Sequence, residues 1–538
     1  VLGTSCSDEL DLNPADRFSP ATVWSTTTTA DKYVIGLYSI FGANTEMRGG
    51  DAYASPRLSD AYSDILKSTS WNQYNHNFNA TLLQETAFNS NSAGAFECWS
   101  SHYDRIRREN EFLRDAAEFG RKFGEDWLKI RIAEVRFCRA YAYFMLCRVY
   151  GGVILRTEVD GPEQNDKARS TEEECWGFII NELKELAPDL PLKWDSDNSG
   201  RATQKAAYGL LSRVALYAEK WDVAAQAARD CATAEGNLDL SKNGYAKIFE
   251  LGINSPEVLF AVEFKSSVID HAYDAYVRPS GDTKELGKQV YSGFVPTSEL
   301  VDSYEMAGDG GNFSWEKHGK DPYANREPRF YATILYNGAD WMGRKIESFV
   351  GGKDGYKAYE NAGAAGTTVT GYYLRKYLID GDKTWVTSGS GQDWIVLRYA
   401  EVLLNKAEAL AMENWNKNSA EALQALNDVR ARVGLPARAT ADKETFLEYV
   451  RHERKVELAG EGFRYWDLRR WRLAEKVIDG QNVHGVKISK QSDGSFTYEQ
   501  VDADGGHKRI FYDRYYRFAI PLSERSNNSL CTNNDGWI

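Results

Sequence analysis

Two flat rings stand among amide side chains at Ser70-Trp71-Asn72-Gln73-Tyr74-Asn75-His76, in a stretch with no helical period. Such rings cover the apolar C–H face of a sugar, while amides like Asn72 and Asn75 exchange hydrogen bonds with its hydroxyls. The combination recurs in the middle of the chain, where Tyr273, Tyr276, Tyr291, Trp315, Tyr323, Trp341 and Trp385 stand among Gly, Asp, Asn and Ser. One ring hiding roughly 50 Å² of sugar surface gains only about 1 kcal/mol at about 25 cal/mol/Å². Micromolar affinity corresponds to about −8 kcal/mol, so a useful site needs several rings together with hydrogen bonds. The expected binding residues are Trp71, Asn72, Tyr74, Asn75, Tyr273, Tyr276, Tyr291, Trp315 and Trp341. The competing use of any one ring is to plug a loop against the body of the protein. Trp99 reads that way, because it forms a helical series with Tyr103, Ile106 and Asn110.

Catalytic arrangements are sparse. Glu172-Glu173-Glu174 reads as the polar start of a helix, where acids favour the dipole. The seven histidines contain no HExxH, and neither a GxSxG elbow nor a P-loop occurs. No catalytic residue is assigned. Cys98, Cys138, Cys147, Cys175, Cys231 and Cys531 include no CxxC pair and no zinc-like spacing, so no metal or cofactor is expected. Cys138 and Cys147 would lie about 13 Å apart on one helix, beyond disulfide reach, and read as small core residues. The chain carries 65 Lys and Arg against 78 Asp and Glu, a net charge of −13, which disfavours nucleic acid as a partner.

The elements that must position these residues are mainly helical. Leu128, Ile132, Val135, Cys138, Ala142, Leu146 and Val149 define one apolar face of a long helix that Gly151-Gly152 stops. Ala202 to Ala234 reads as two helices broken near Lys220, and Val396 to Val433 repeats the design with a break at Asn414 to Asn418. These are helix-turn-helix units of tetratricopeptide size with uneven spacing. Ser267 to Gly391 differs in kind, with many Gly and aromatic residues and short β-like pieces at Val258 to Phe264 and Tyr372 to Tyr377. Gly480 to Tyr512 reads as a surface excursion, and Tyr516 to Pro521 as a short closing strand. The expected layout is a tether over residues 1–20 and one domain over 21–538. Its helical scaffold lies mainly in 95–235 and 395–475, and its loop-rich ligand region mainly in 265–395.

The densest charged segment is "RHERKVELAGEGFRYWDLRRW", Arg451 to Trp471. Glu and Arg at helical offsets predict a buried, salt-bridged structural helix anchored by Val456, Phe463, Trp466 and Trp471. This segment resembles the C-terminal signature of the SusD/RagB family, nutrient-binding outer-membrane lipoproteins of Bacteroidetes. "AEVRFCRAYAYFMLCRVYGGVIL", "GRATQKAAYGLLSRVALYAEKWDVAA", "NREPRFYATILYNG", "DWIVLRYAEVLLNKAEAL" and "FAIPLSERSNNSLCTNNDGW" resemble other stretches of that family in the same order. The resemblance implies a tetratricopeptide-like scaffold and a non-catalytic protein. Such a protein captures oligosaccharides or polysaccharides and passes them to a SusC-like TonB-dependent transporter. It also implies a place on the extracellular side of the outer membrane through a lipid on Cys6. That cysteine follows the small residues Gly3, Thr4 and Ser5, although Leu2 lies four residues before it where the usual motif has three. Calcium occurs in some relatives, but no Asp-rich loop with regular ligand spacing stands out here. A helical-repeat scaffold that binds a protein or peptide is the alternative reading.

Overall fold

A computed structural model describes residues 19–47, 58–69, 88–161, 164–234, 244–358 and 367–537. Its frame is a series of helices: α1 Thr27–Leu37, α2 Trp99–Phe119, α3 Glu125–Tyr150, α4 Glu172–Leu186, α5 Gln204–Tyr217, α6 Trp221–Ala234, α7 Tyr399–Arg432, α8 Lys443–Glu457 and α9 Arg464–Arg470. Each of α2 to α7 packs on the next helix of this series, so the scaffold is a stack of helical hairpins. The expected mainly α, tetratricopeptide-like architecture is what the molecule has.

Local chemistry accounts for the helix boundaries. Thr171 caps α4 and exchanges hydrogen bonds with Glu174, so the acidic triplet is a capping box at the positive end of a helix. Helix α3 stops at Gly151, whose φ of 75° suits glycine and where a Cβ would run into the Arg517 side chain. Helix α7 breaks at Asn414, which leaves helical geometry at φ −164° and ψ 92°. Cys138 and Cys147 are buried on α3, where burial raises both thiols well above their ordinary range.

Strands are short and pair in twos. β1 Leu66–Ser68 runs antiparallel to β3 Phe294–Pro296, with Lys67 opposite Val295. β2 Val258–Val262 pairs with β4 Trp394–Arg398 across an irregular register. β5 His484–Lys490 and β6 Phe496–Asp502 form the hairpin of the C-terminal excursion. No strand forms at 516–521. Phe518 donates instead to the Val149 carbonyl at 3.1 Å and Ile520 to Asn533 at 2.8 Å, so the segment is tied down without a ladder partner.

The charged signature is not one helix. α8 ends at Glu457, the chain turns through Gly460 and Gly462 at φ 76° and 79°, and α9 begins at Arg464. Asp60 fastens this turn, accepting from the N–H groups of Gly460, Gly462 and Arg464 at 2.9, 3.2 and 2.9 Å. The ion pairs mostly leave the segment. Glu457 meets Arg398 at 2.6 Å and Arg329 at 2.9 Å and also pairs with Arg432, while Arg398 holds Glu461 at 2.6 Å and Glu257 at 2.9 Å. Arg329 continues to Glu453 at 2.5 Å and Glu327 at 2.6 Å, Arg430 bridges Glu453 and Glu305, and Lys376 reaches Glu461 at 2.8 Å. All of these side chains are buried. Burial alone would push the Glu457 carboxyl up, but Arg432, Arg398 and Arg329 outweigh it and hold it well below the usual carboxylate range.

Two stability predictions follow from this interior. Glu457→Gln strands three guanidiniums without full countercharge and should cost about 3–5 kcal/mol in urea unfolding; a loss below 1 kcal/mol would remove the network from its structural role. Glu109 on α2 is fully buried, and neither carboxyl oxygen has a hydrogen-bond partner among the described residues; burial raises its pKa from 4.5 to about 8. Below about pH 4.5 the carboxyl is protonated both folded and unfolded, so Glu109→Gln should match the parent. As pH rises towards 8 the unfolded chain releases the proton while the folded one retains it, so the parent should lose stability relative to the variant. Melting temperatures at pH 5 and pH 8.5 read this directly, and a gap that does not widen with pH would refute it.

Candidate functional site

Buried Arg278 organises one part of the loop-rich region. Arg278 donates to Asp274 at 2.7 Å, to Asp282 at 3.3 Å, and to the carbonyls of Ile379 and Asp382 at 3.3 and 3.1 Å. Its guanidinium lies 5.2 Å from the Trp341 ring and 5.1 Å from the Trp385 ring. Trp341 also donates its indole N–H to Asp282 at 3.0 Å, and Arg344 links Asp282 to Asp354. The chemistry explains the burial: a charged group taken out of water needs countercharges, donor-matched carbonyls and polarisable faces around it. Trp341 and Trp385 are 1% exposed. They are frame residues here, and the expectation that Trp341 offers its face to a ligand gives way to this role.

Tyr273 is a frame residue too. It is fully buried, its hydroxyl donates to the Lys376 carbonyl at 3.0 Å, and its N–H donates to His271 Nδ1 at 3.2 Å. Tyr323 is buried against Phe330 and Tyr336, and burial raises its phenol well above the ordinary range.

Tyr276 and Tyr291 behave differently. Their rings lie side by side, centroids 4.7 Å apart and tilted by 38°, and both are half-buried. Backbone pairing sets them there: Tyr291 N–H donates to the Ala275 carbonyl at 2.7 Å and Gly293 N–H to the Tyr276 carbonyl at 2.6 Å. Ser292 between them adopts φ 48° and donates its hydroxyl to the Arg278 carbonyl at 3.0 Å, so the buried arginine and the half-buried rings belong to one loop assembly. The edge of β3 follows at once, and Thr69 at the end of β1 donates to the Gly293 carbonyl at 3.1 Å. Trp71, Asn72, Tyr74 and Asn75 lie outside the described residues, as does Cys6.

A second set of part-exposed rings surrounds Trp315. Its indole N–H donates to Asp302 at 3.0 Å, and its ring lies 5.8 Å from Tyr498 on β6. Burial raises the Asp302 carboxyl to about 6 against the opposing pull of that N–H. Tyr498 lies 5.9 Å from Tyr323, whose ring packs in turn against the half-buried Tyr336 at 4.6 Å, tilted by 36°. Tyr336 and Tyr498 were missed in the sequence, although Phe496 and Tyr498 share one face of an alternating strand, which is the available signal. Among the described residues no group of three or more His, Cys, Asp or Glu side chains could hold a metal ion. Nor is any helix there long and apolar enough to cross a membrane.

Two family models match the chain: one described as the SusD family over residues 256–537, and one described as "Starch-binding associating with outer membrane" over residues 10–216. A SusD-like protein of Bacteroides ovatus is 25% identical over 535 residues, covering 94% of this chain and 88% of that protein. Among solved structures, a SusD-like protein from Bacteroides fragilis superposes with a TM-score of 0.81 at 27% identity, covering 96% of this chain and 98% of the other. A laminarin-binding SusD-like protein superposes at 0.68 with 22% identity, covering 95% and 99%. The last of these speaks to the fold alone.

The arginine-centred loop assembly makes a prediction. Arg278→Leu leaves Asp274 buried without its guanidinium and should destabilise by about 3–5 kcal/mol. Amide exchange across 273–293 should then rise more than exchange within α3. Exchange that rises equally everywhere would mean that Arg278 supports the whole molecule rather than this loop.

Proposed function

The chain belongs to the SusD family, and from that premise we propose that it is a non-catalytic surface protein that captures oligosaccharide or polysaccharide and delivers it to a SusC-like TonB-dependent transporter. The observation that carries the reading is the Tyr276–Tyr291 pair. Two half-buried rings held by backbone bonds, on a loop pinned from below, provide a rigid apolar shelf for a sugar face at little entropic cost. Trp71, Asn72, Tyr74 and Asn75 join the site in this proposal, since their segment leaves the described chain at Thr69, which is bonded to Gly293. Trp315 of the loop-rich region with Tyr498 of β6 provides a second ring surface. A lipid on Cys6 would hold the protein at the outer face of the outer membrane, a location in keeping with the family model that names that membrane.

The test is binding to a panel of polysaccharides by affinity gel and calorimetry, with Tyr276→Ala/Tyr291→Ala, Trp71→Ala and Trp315→Ala as probes. Two rings, each hiding roughly 50 Å² of sugar, account for about 2 kcal/mol, so the double variant should bind tens of times more weakly with an unchanged melting temperature. Full binding by the double variant would move the site elsewhere. Failure of every glycan would overturn capture, and release of reducing ends from a bound glycan would overturn the non-catalytic part.

A further inference from the structure

Within Arg451 to Trp471, Arg454 holds Asp467 at 2.7 Å, Arg464 holds Asp64 at 2.8 Å, and Arg470 holds both Glu408 and Asp467. Arg469 differs. It is 4% exposed and makes no ion pair among the described residues. Its Nη2 donates to the Tyr516 carbonyl at 2.8 Å, while Nε and Nη1 have no acceptor there. Arg148, near the end of α3, is a second cation of this kind. It is half-buried, has no ion pair among the described residues, and its Nε is buried without an acceptor.

The two cations meet at one ring. The Arg148 guanidinium lies 4.0 Å from the Trp466 ring, and that of Arg469 lies 4.7 Å from it. Trp466 adds a third donor, because its buried indole N–H also lacks an acceptor among the described residues. Aromatic faces help to hold a desolvated cation, but they accept none of its in-plane N–H groups. The acids of this neighbourhood are engaged elsewhere. Asp467 serves Arg454 and Arg470, Glu172 serves Arg517, and Glu97 accepts from the Tyr150 hydroxyl at 2.7 Å. Glu46 accepts from Ser59 N–H at 3.1 Å, and burial together with Asp60 raises its carboxyl, so it offers Arg148 little countercharge near neutrality. Burial lowers the Arg469 guanidinium from 12.5 to about 10, and the like charges of Arg517 and Arg148 act in the same direction. Buried donors that carry positive charge and find no acceptor in the chain call for one from outside it.

We propose that Arg148, Trp466 and Arg469 form a binding site for a small inorganic monoanion of halide size, such as chloride. The two unpartnered nitrogens of Arg469, Nε and Nη1, are not a forked pair. They offer single N–H donors in place of the parallel pair that a carboxylate or phosphate takes. A halide accepts such donors from any direction. Phosphate brings more charge and more hydration, and the surrounding rings of Phe96 and Phe518 offer no hydrogen bonds to replace that hydration. Half-buried Arg148 provides the way in from solvent. The bound ion ties α3 to α9 and uses no residue of the loop-rich region, so it stands apart from glycan capture.

The experiment soaks crystals of the whole chain in sodium bromide and follows thermal unfolding in sodium chloride, bromide, acetate and phosphate at one ionic strength. An anomalous bromide peak should lie within hydrogen-bonding reach of Arg148 or Arg469. The melting temperature should rise and saturate with chloride and bromide but not with acetate or phosphate. In Arg148→Met the midpoint of that rise should move to about tenfold higher bromide. Trp466→Phe, which removes one N–H and keeps a ring, should move it by a smaller factor, and Tyr276→Ala/Tyr291→Ala should leave it unchanged. Should Arg148→Met fail to fold, the soaked crystal and the salt series of the parent still decide. Water alone at the cluster, an equal response to all four salts, a preference for acetate or phosphate, or an undiminished bromide response in Arg148→Met would each overturn the proposal.

Discussion

Glu457 is buried among Arg329, Arg398 and Arg432, and the fold closes around that constraint. A carboxylate removed from water is tolerable only when cations replace its hydration. The three arginines come from separate parts of the chain: the start of a short helix at Pro328–Thr333, the end of β4, and the end of α7. Their own remaining donors require further acids, so Glu257, Glu453, Glu461 and, through Arg430, Glu305 are drawn in. Arg438 adds a last cation to Glu305 at 2.7 Å from the more exposed side. A core of this kind contributes little net energy over an apolar one. Its value lies in geometry, because each guanidinium accepts only a few placements of its partners and thereby locks the loop region onto the helical stack.

The same device recurs one level out. Arg278, with Asp274 and Asp282 beneath and the Trp341 and Trp385 rings beside it, gives the loop-rich region a rigid base despite its lack of regular structure. Backbone pairing of 291–293 with 275–276 holds the half-buried Tyr291 and Tyr276 rings side by side. Buried charge holds these loops in place.

Much of this was legible from the chain. The apolar periods of α3, α5, α6 and α7, the stop at Gly151, the break at Asn414 and the acidic helix start at Glu172 to Glu174 are local, and local rules gave them almost residue by residue. The residues from Arg451 to Trp471 marked the family. Three readings needed tertiary structure. The segment looked like one helix with internal ion pairs, but two glycines bend it, Arg454 pairs with Asp467 across the bend, and Glu453, Glu457 and Glu461 find arginines elsewhere in the chain, a choice that helical offsets do not encode. Residues 516–521 looked like a strand, and no neighbouring strand is there to make them one. The aromatic residues of the loop region had the same composition whether they became frame or face: Tyr273 and Trp341 lie inward with Tyr276 and Tyr291 at the edge. Sequence alone determined the elements and the kind of chemistry available. Only the packing of distant charges decided which rings are buried and which stay half-buried, because burial is a property of the assembled surface and not of any residue's neighbours along the chain.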